Sequence, residues 1–378
     1  MERAADPKNP APELALIPIV SFLPAILIGP WAGALVDGWN TRTTLLVSDA
    51  IRGVLVLAII PAAAWGGLLA ALGIIFLLYV VNSFFLPARS AILPDLVPEG
   101  SLVEANSLAT LAGVLATIAG SLAGGMLVER MGWRIGFQSD AATYFLSVAA
   151  LVFIQFKPRA RPRPAEPRAG YRQIVLDVRE GAGMALRSAP ALGSIAVMTL
   201  LWIAGGALHV SMPQVVAGRG VGVVAGVGGA VAAAAIGMVA GTLFLASLGQ
   251  RISVRARIVA GLVGGGAAMA GFAALRHPVG LWCAAFAAGG FVAFLLVTTE
   301  AVLQASIAAE ARGRVFALRD FLARAGLLSS AGILGVFSRR VVIAPEWIVG
   351  AAGGLLVVGG CFSALWPWGK PRDLRETG

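Results

Sequence analysis

Between Arg52 and Arg89 the chain reads GVLVLAIIPAAAWGGLLAALGIIFLLYVVNSFFLPA, residues 53–88, with no Asp, Glu, Lys, Arg or His. A helix that crosses a hydrocarbon layer ~30 Å thick needs about 20 apolar residues. The stretch therefore holds two crossings, at 44–63 and 67–87, with Trp65-Gly66-Gly67 as the turn. Extended outward, the same reading gives about eleven spans. The others are 14–36, 105–128, 136–156, 189–211, 221–247, 256–274, 279–303, 317–338 and 344–366. Of the 378 residues, 58% are hydrophobic and 13% charged, against about 25% charged in a soluble domain. This excludes a soluble enzyme, a disordered chain and a disulfide scaffold. The expected fold class is all-α: a polytopic membrane protein of two helical bundles.

One separator differs from the short others. Residues 157–187 are long and polar, with Pro158, Pro162, Pro164 and Pro167 near the start and a possible interfacial amphipathic helix from Tyr171 to Leu186. The predicted domains are a five-helix bundle at 1–156, a basic linker at 157–188, a six-helix bundle at 189–368 and a tail at 369–378. Alternate loops hold Arg42; Arg89; the linker's Lys157, Arg159, Arg161, Arg163, Arg168, Arg172 and Arg179; Arg251, Arg255 and Arg257; Arg312, Arg314, Arg319 and Arg324; and Lys370, Arg372 and Arg375. The opposite loops hold only Arg130, Arg134, Arg219, Arg276, Arg339 and Arg340. Basic residues stay inside, so linker and C-terminus are expected in the cytoplasm. The net charge of +10 reads as this loop bias, with no nucleic-acid partner. The two cysteines, Cys283 and Cys361, read as packing residues, and His209 and His277 are too isolated for a metal site. No signal-peptide pattern opens the chain. No phosphate-binding GxxxxGK[ST] loop is present, so an ion gradient is the expected energy source.

The halves repeat. Gly29 and Gly33 precede Arg42, and Gly237 and Gly241 precede Arg251 about 208 residues on. Leu93 to Leu108 corresponds to Leu303 to Leu318 at offset 210. Duplicated halves are a transporter pattern, and each GxxxG allows close helix contact.

Four stretches carry a family likeness. Gly33-Ala34-Leu35-Val36-Asp37-Gly38-Trp39-Asn40-Thr41-Arg42 resembles the loop signature of the major facilitator superfamily, with Gly33, Asp37 and Arg42 matching. There a carboxylate and a guanidinium pair in one conformation, a latch whose plain alternative is a capped helix end. Pro87 to Pro98, followed by Glu104, Asn106 and Ser107, resembles the elbow between fourth and fifth helices in the superfamily's bacterial efflux branch, the enterobactin-exporter-like and macrolide-efflux-like members. Pro94 and Pro98 are expected to break the helix there, and Arg89 to anchor at headgroups. Gly120-Ser121-Leu122-Ala123-Gly124-Gly125 resembles the efflux antiporters' glycine motif, with Ser121 in place of proline, or else ordinary glycine packing. Arg312-Gly313-Arg314-Val315 resembles the second-half loop of the same branch. The resemblance implies a chain that begins at the family's second helix, sits in a bacterial plasma (inner) membrane, works as a monomer, uses no cofactor and is not an enzyme.

Ionisable residues inside spans are functional candidates by default. Asp49 and Arg52, at i and i+3, can pair. Asp140 reads as an N-cap of the fifth span. Glu300 lies in Phe294 to Gln304 with no basic residue within a helical turn. It heads the candidates for proton coupling or substrate binding, which also include Asp37, Asp49 and Arg52, or else it pairs with another helix. Arg319 and Asp320 read as interfacial. Asn82, Ser83, His209 and Gln214 could line a cavity. The resemblance implies a secondary active transporter exporting a small amphipathic molecule (drug, macrolide or siderophore type) by alternating access in exchange for protons. The alternatives are uptake, lipid translocation, or a truncated, transport-defective or regulatory membrane protein.

Overall fold

The computed structural model describes residues 15–36, 39–98, 101–153, 171–307, 309–338, 341 and 343–368. Among these, apart from a 3-10 turn at Gly249–Arg251, all regular structure is α-helix. The order is α1 (Leu16–Leu27), α2 (Gly29–Val36), α3 (Thr41–Trp65), α4 (Gly67–Leu96), α5 (Leu102–Met131), α6 (Trp133–Phe153) and α7 (Tyr171–Leu186). Then come α8 (Ala189–Ala217), α9 (Val223–Leu248), α10 (Val254–Ala274), α11 (Pro278–Ser306), α12 (Ala309–Phe337) and α13 (Pro345–Leu365).

Ten helices, α3–α6 and α8–α13, are long and apolar enough to cross a membrane. The expected eleventh span, 14–36, is instead two short helices that part at Ile28. Pro30 has no N–H for the Ile26 carbonyl. The amides of Trp31 and Ala32 turn back to the Ile28 carbonyl at 3.0 and 2.8 Å.

Polar residues set the helix starts. Side chains of Asn40, Ser188 and Ser253 accept from the amides of Thr43, Ala191 and Ala256, and His277 Nδ1 accepts from Val279. Each satisfies an N–H that the first turn leaves unpaired. His277 is thus a helix cap. Asp140 is not: α6 begins at Trp133 because Gly132, at φ 88°, breaks the chain there, and Asp140 lies inside the helix.

The chain divides into two compact units. One comprises Ile19–Ala116 with Leu127–Ile174; the other comprises Met1–Pro18, Thr117–Met126 and Val175–Gly378. In the first, Val36, Leu45, Ala88 and Ile92 form a buried cluster against Phe84, Phe85 and Leu151, and Trp39 stacks on Phe84 at 5.7 Å.

In the second, glycines let backbones touch. A Cβ at Gly237 would run into the Phe286 carbonyl, one at Gly241 into that of Gly290, and one at Gly289 into that of Ala234. This fixes the α9–α11 crossing. Likewise a Cβ at Gly353 of α13 would lie 2.6 Å from the Gly266 carbonyl of α10. The GxxxG at Gly237 and Gly241 therefore makes a close contact. Gly29 in the first half faces open space.

Element positions follow the sequence repeat: Leu96 ends α4 and Ser306 ends α11, 210 residues apart. α5 and α12 follow them, as α3 precedes α4 and α10 precedes α11.

Candidate functional site

The first unit holds a charge cluster among α3, α4 and α6. Asp49 and Arg52 pair on α3 with side chains 2% and 7% exposed. The second Asp49 oxygen accepts from Ser147 Oγ of α6 at 2.6 Å. Arg52 Nη1 donates to Asn82 Oδ1 of α4 at 3.0 Å. The guanidinium carbon lies 3.8 Å from the Phe85 ring centroid and 4.8 Å from that of Tyr144. Gly53 gives α6 room: a Cβ there would lie 2.9 Å from Phe145. A charge desolvated this far persists only when paired and hydrogen-bonded. Both Asp49 oxygens and both Arg52 terminal nitrogens find partners, with Arg52 Nε left without one, and the groups come from three helices, so the cluster ties those helices together.

Of the expected latch, Asp37 lies outside the described residues, and Gly33 falls within α2. Arg42 reaches across to the end of α6, where Nε donates to the Leu151 carbonyl at 3.3 Å and Nη2 to that of Val152 at 2.6 Å. Carbonyls in a helix's last turn lack intrahelical donors and carry partial negative charge, so a cation there is favourable.

In the second unit, Glu300 of α11 pairs with Arg319 of α12, which also donates to Asp320 at 2.9 Å and lies over the Phe316 ring at 4.6 Å. Gln304 Nε2 donates to Glu300 at 3.1 Å. The Glu300 side chain is 43% exposed, unlike Asp49. Arg319, read from sequence as interfacial, is the partner that no residue on α11 itself supplies.

Nearby, Arg314 pairs with Glu180 of α7 at 2.7 Å, and Arg312 donates to the Ile307 carbonyl at 3.1 Å. A Cβ at Gly181 would lie 2.8 Å from the Arg314 carbonyl. Ala185, Ile307, Val315 and Leu318 bury together there. So α7 is docked on the start of α12.

The glycine motif lies in α5, and its part within Thr117–Met126 belongs to the second unit. A Cβ at Gly228 of α9 would run into the Ser121 carbonyl, and one at Gly125 would lie 3.0 Å from the Val224 carbonyl. Gly120 and Gly124 face open space, so half of the motif makes the crossing. The elbow differs from expectation. Pro94 sits inside α4, which runs on to Leu96 and stops before Pro98. Arg89 is exposed and lines a cleft of about 510 Å³ between α4 and α5.

Phe85, Tyr144 and Ser147 were not singled out by sequence reasoning. One signal was present: Asp140, Tyr144 and Ser147, at i, i+4 and i+7, make one polar stripe on an apolar helix. Ser83 is buried with its hydroxyl turned back to the Tyr79 carbonyl at 3.0 Å.

A chain of ten helices long and apolar enough to cross a membrane, with a paired charge buried among them, is that of a multi-pass membrane protein. A sequence profile of the Major Facilitator Superfamily matches residues 8–331, and the chain belongs to that family, whose members are transporters rather than enzymes. Among curated proteins it is similar to an uncharacterized MFS-type transporter of Mycobacterium tuberculosis, 32% identical over 190 residues, covering 48% of this chain and 41% of that protein. It is also similar to the putative bacilysin exporter BacE of Bacillus subtilis, 24% identical over 188 residues (49% of this chain, 45% of the other). A third relative is the multidrug efflux pump Tap of Mycobacterium bovis, 26% identical over 179 residues (45% and 42%). The chain thus spans less than half the length of the curated relatives it matches. Two solved structures share the fold. A variant of the nucleoside transporter NupG has TM-score 0.73 at 13% identity, covering 94% of this chain and 91% of the other. The peptide transporter POT in complex with sulfate has TM-score 0.68 at 16% identity, covering 96% and 87%.

Proposed function

We propose that the chain is the body of a secondary exporter that works by alternating access, expelling a small amphipathic molecule as protons enter. The carrying observation is the Glu300–Arg319 ion pair: a half-exposed carboxylate joining two helices, its cation shared with Asp320. A proton arriving at Glu300 neutralises the carboxylate and leaves Arg319 to Asp320, loosening α11 from α12. A proton is thereby exchanged for a change in helix contact. Asp49, saturated by Arg52 and Ser147, is assigned a structural role. Relatives named as an exporter and an efflux pump support the outward direction. The loop charges support a cytoplasmic linker and C-terminus in a bacterial inner membrane. In this reading the protein works as a monomer.

Inverted membrane vesicles given a lipophilic fluorescent dye in the outer medium test the proposal. Acidifying the lumen should drive dye accumulation, a proton ionophore should abolish it, and Glu300→Gln should keep downhill exchange while losing the proton-driven part. Accumulation that ignores the ionophore sinks the coupling. A Glu300→Gln variant with wild-type uphill transport removes that residue from it.

A further inference from the structure

The cleft between α4 and α5 has an internal counterpart in the other half of the chain. It is lined by Arg89, Ser90, Leu93, Asn106, Ala109 and Gly113, among others, all within the first unit. At the repeat offset of 210 residues, Ser90 corresponds to Glu300 and Ala109 to Arg319. In the second unit, therefore, the helix pair is bridged at these positions by a carboxylate on one helix and a guanidinium on the next. In the first unit both bridging groups are replaced by small residues, and the space between the helices is open. A cation remains: Arg89, exposed, with no ion-pair partner among the described residues.

The rest of the lining fits the same demand. Ser90 and Thr110 turn their hydroxyls to their own helices, onto the carbonyls of Leu86 and Asn106. Among the described residues no carboxylate lines the cleft, and Ile92, Leu93, Leu96, Ala109 and Gly113 make most of its wall apolar. A Cβ at Gly113 would meet nothing within 4 Å, so the space there is real. Depth agrees too. α4 and α5 are each 30 residues long, ~45 Å at the helical rise, against ~30 Å of hydrocarbon. About five residues project at each end, which puts Arg89 and Asn106 near the boundary where phosphates lie.

We propose that this cleft binds an anionic phospholipid of the inner leaflet, its phosphodiester on Arg89 and an acyl chain against Ala109 and Gly113. The lipid supplies between α4 and α5 the negative charge that Glu300 supplies between α11 and α12. A lone phosphate would leave the apolar wall wet, and a neutral lipid would leave the guanidinium unpaired.

Native mass spectrometry of the detergent-solubilised full chain, titrated with dioleoylphosphatidylglycerol, tests this. The wild type should keep one lipid under collisional activation that strips the others. Arg89→Gln should weaken that retention by about tenfold or more, the cost of one charge-assisted hydrogen bond. Ala109→Glu places a carboxylate in reach of Arg89 and should expel the lipid. Gly113→Leu should do so by filling the space for the chain, with the fold intact because nothing lies within 4 Å of that Cβ. Arg134→Gln, in the first turn of α6 just beyond the far end of α5, should leave retention unchanged. Equal retention in Arg89→Gln and wild type, or in Ala109→Glu and wild type, overturns the proposal. So does equal retention of dioleoylglycerol, which has no phosphate, or full displacement by inorganic phosphate, which has no chain.

Discussion

Replacing Asp49 by Leu should be far more damaging than replacing Asp49 and Arg52 together. The single change leaves a guanidinium that is 7% exposed facing one remaining acceptor, Asn82 Oδ1. The Phe85 and Tyr144 rings face the guanidinium in both the wild type and this variant, so their contribution cancels between those two and is lost only with Arg52 itself. Removing one partner of a buried pair costs about 3–5 kcal/mol, whereas replacing both by apolar groups of similar size is often near neutral. The lost Ser147 bond adds about 0.6 kcal/mol, the average for such bonds between membrane helices. Asp49→Leu should therefore cost ~3–5 kcal/mol, and the double variant Asp49→Leu/Arg52→Met about 1 kcal/mol. Arg52→Met alone strands the Asp49 carboxylate and should rank with the first. Equilibrium unfolding in mixed dodecyl maltoside and dodecyl sulfate micelles, followed by tryptophan fluorescence, gives the four corners of the cycle. A coupling energy below about 0.5 kcal/mol, or a double variant as unstable as the sum of the singles, would refute the account of a pair that exists to neutralise itself.

Other outcomes follow from the same geometry. Arg42→Ala removes two donors from the end of α6. It should raise amide exchange in the last turn of that helix at a cost of about 1–2 kcal/mol, and unchanged exchange near Leu151 would contradict the contact. Gly289→Val would force α11 off the Ala234 carbonyl and should abolish monodisperse protein on size exclusion, while Gly120→Ala, facing open space, should not. Glu180→Ala breaks a pair that is 55% exposed on the glutamate side and should shift the melting midpoint little, about 1 kcal/mol or less. Gly181→Val, which pushes a side chain at the Arg314 carbonyl, should free α7 and expose it to protease.

Ten of the eleven expected spans and the helix order could be read from hydropathy because each of those spans is one contiguous run. The pairing of Asp49 with Arg52 was legible because i, i+3 neighbours share one face of a single helix and need no tertiary contact to meet. The first span misled because hydropathy averages over Gly29 and Pro30, whereas hydrogen bonding does not. Asp140 misled because a polar group inside an apolar run resembles a cap until Gly132 sets the start. Contacts between helices were not legible. Arg319 stands 19 residues from Glu300, and their meeting depends on how α12 turns back against α11. The acceptors for Arg42 are main-chain carbonyls about 110 residues away, which no side-chain pattern announces. Of the glycines, sequence could say which ones permit contact; only packing shows that Gly125 and Gly228 make it and Gly120 does not.

Where glycine meets carbonyl, as between α9 and α11 or α10 and α13, the touching surfaces are main chain on both sides. Such a seam has no rotamers to exchange, so it offers a single register and resists sliding in either direction. A helix pair joined in this way behaves as one stiff beam. Shape change must then be absorbed at seams lined by longer side chains, where alternative packings exist. In this chain the stiffness is concentrated in the second unit's glycine crossings, and the compliance in side-chain-lined places such as the cleft between α4 and α5.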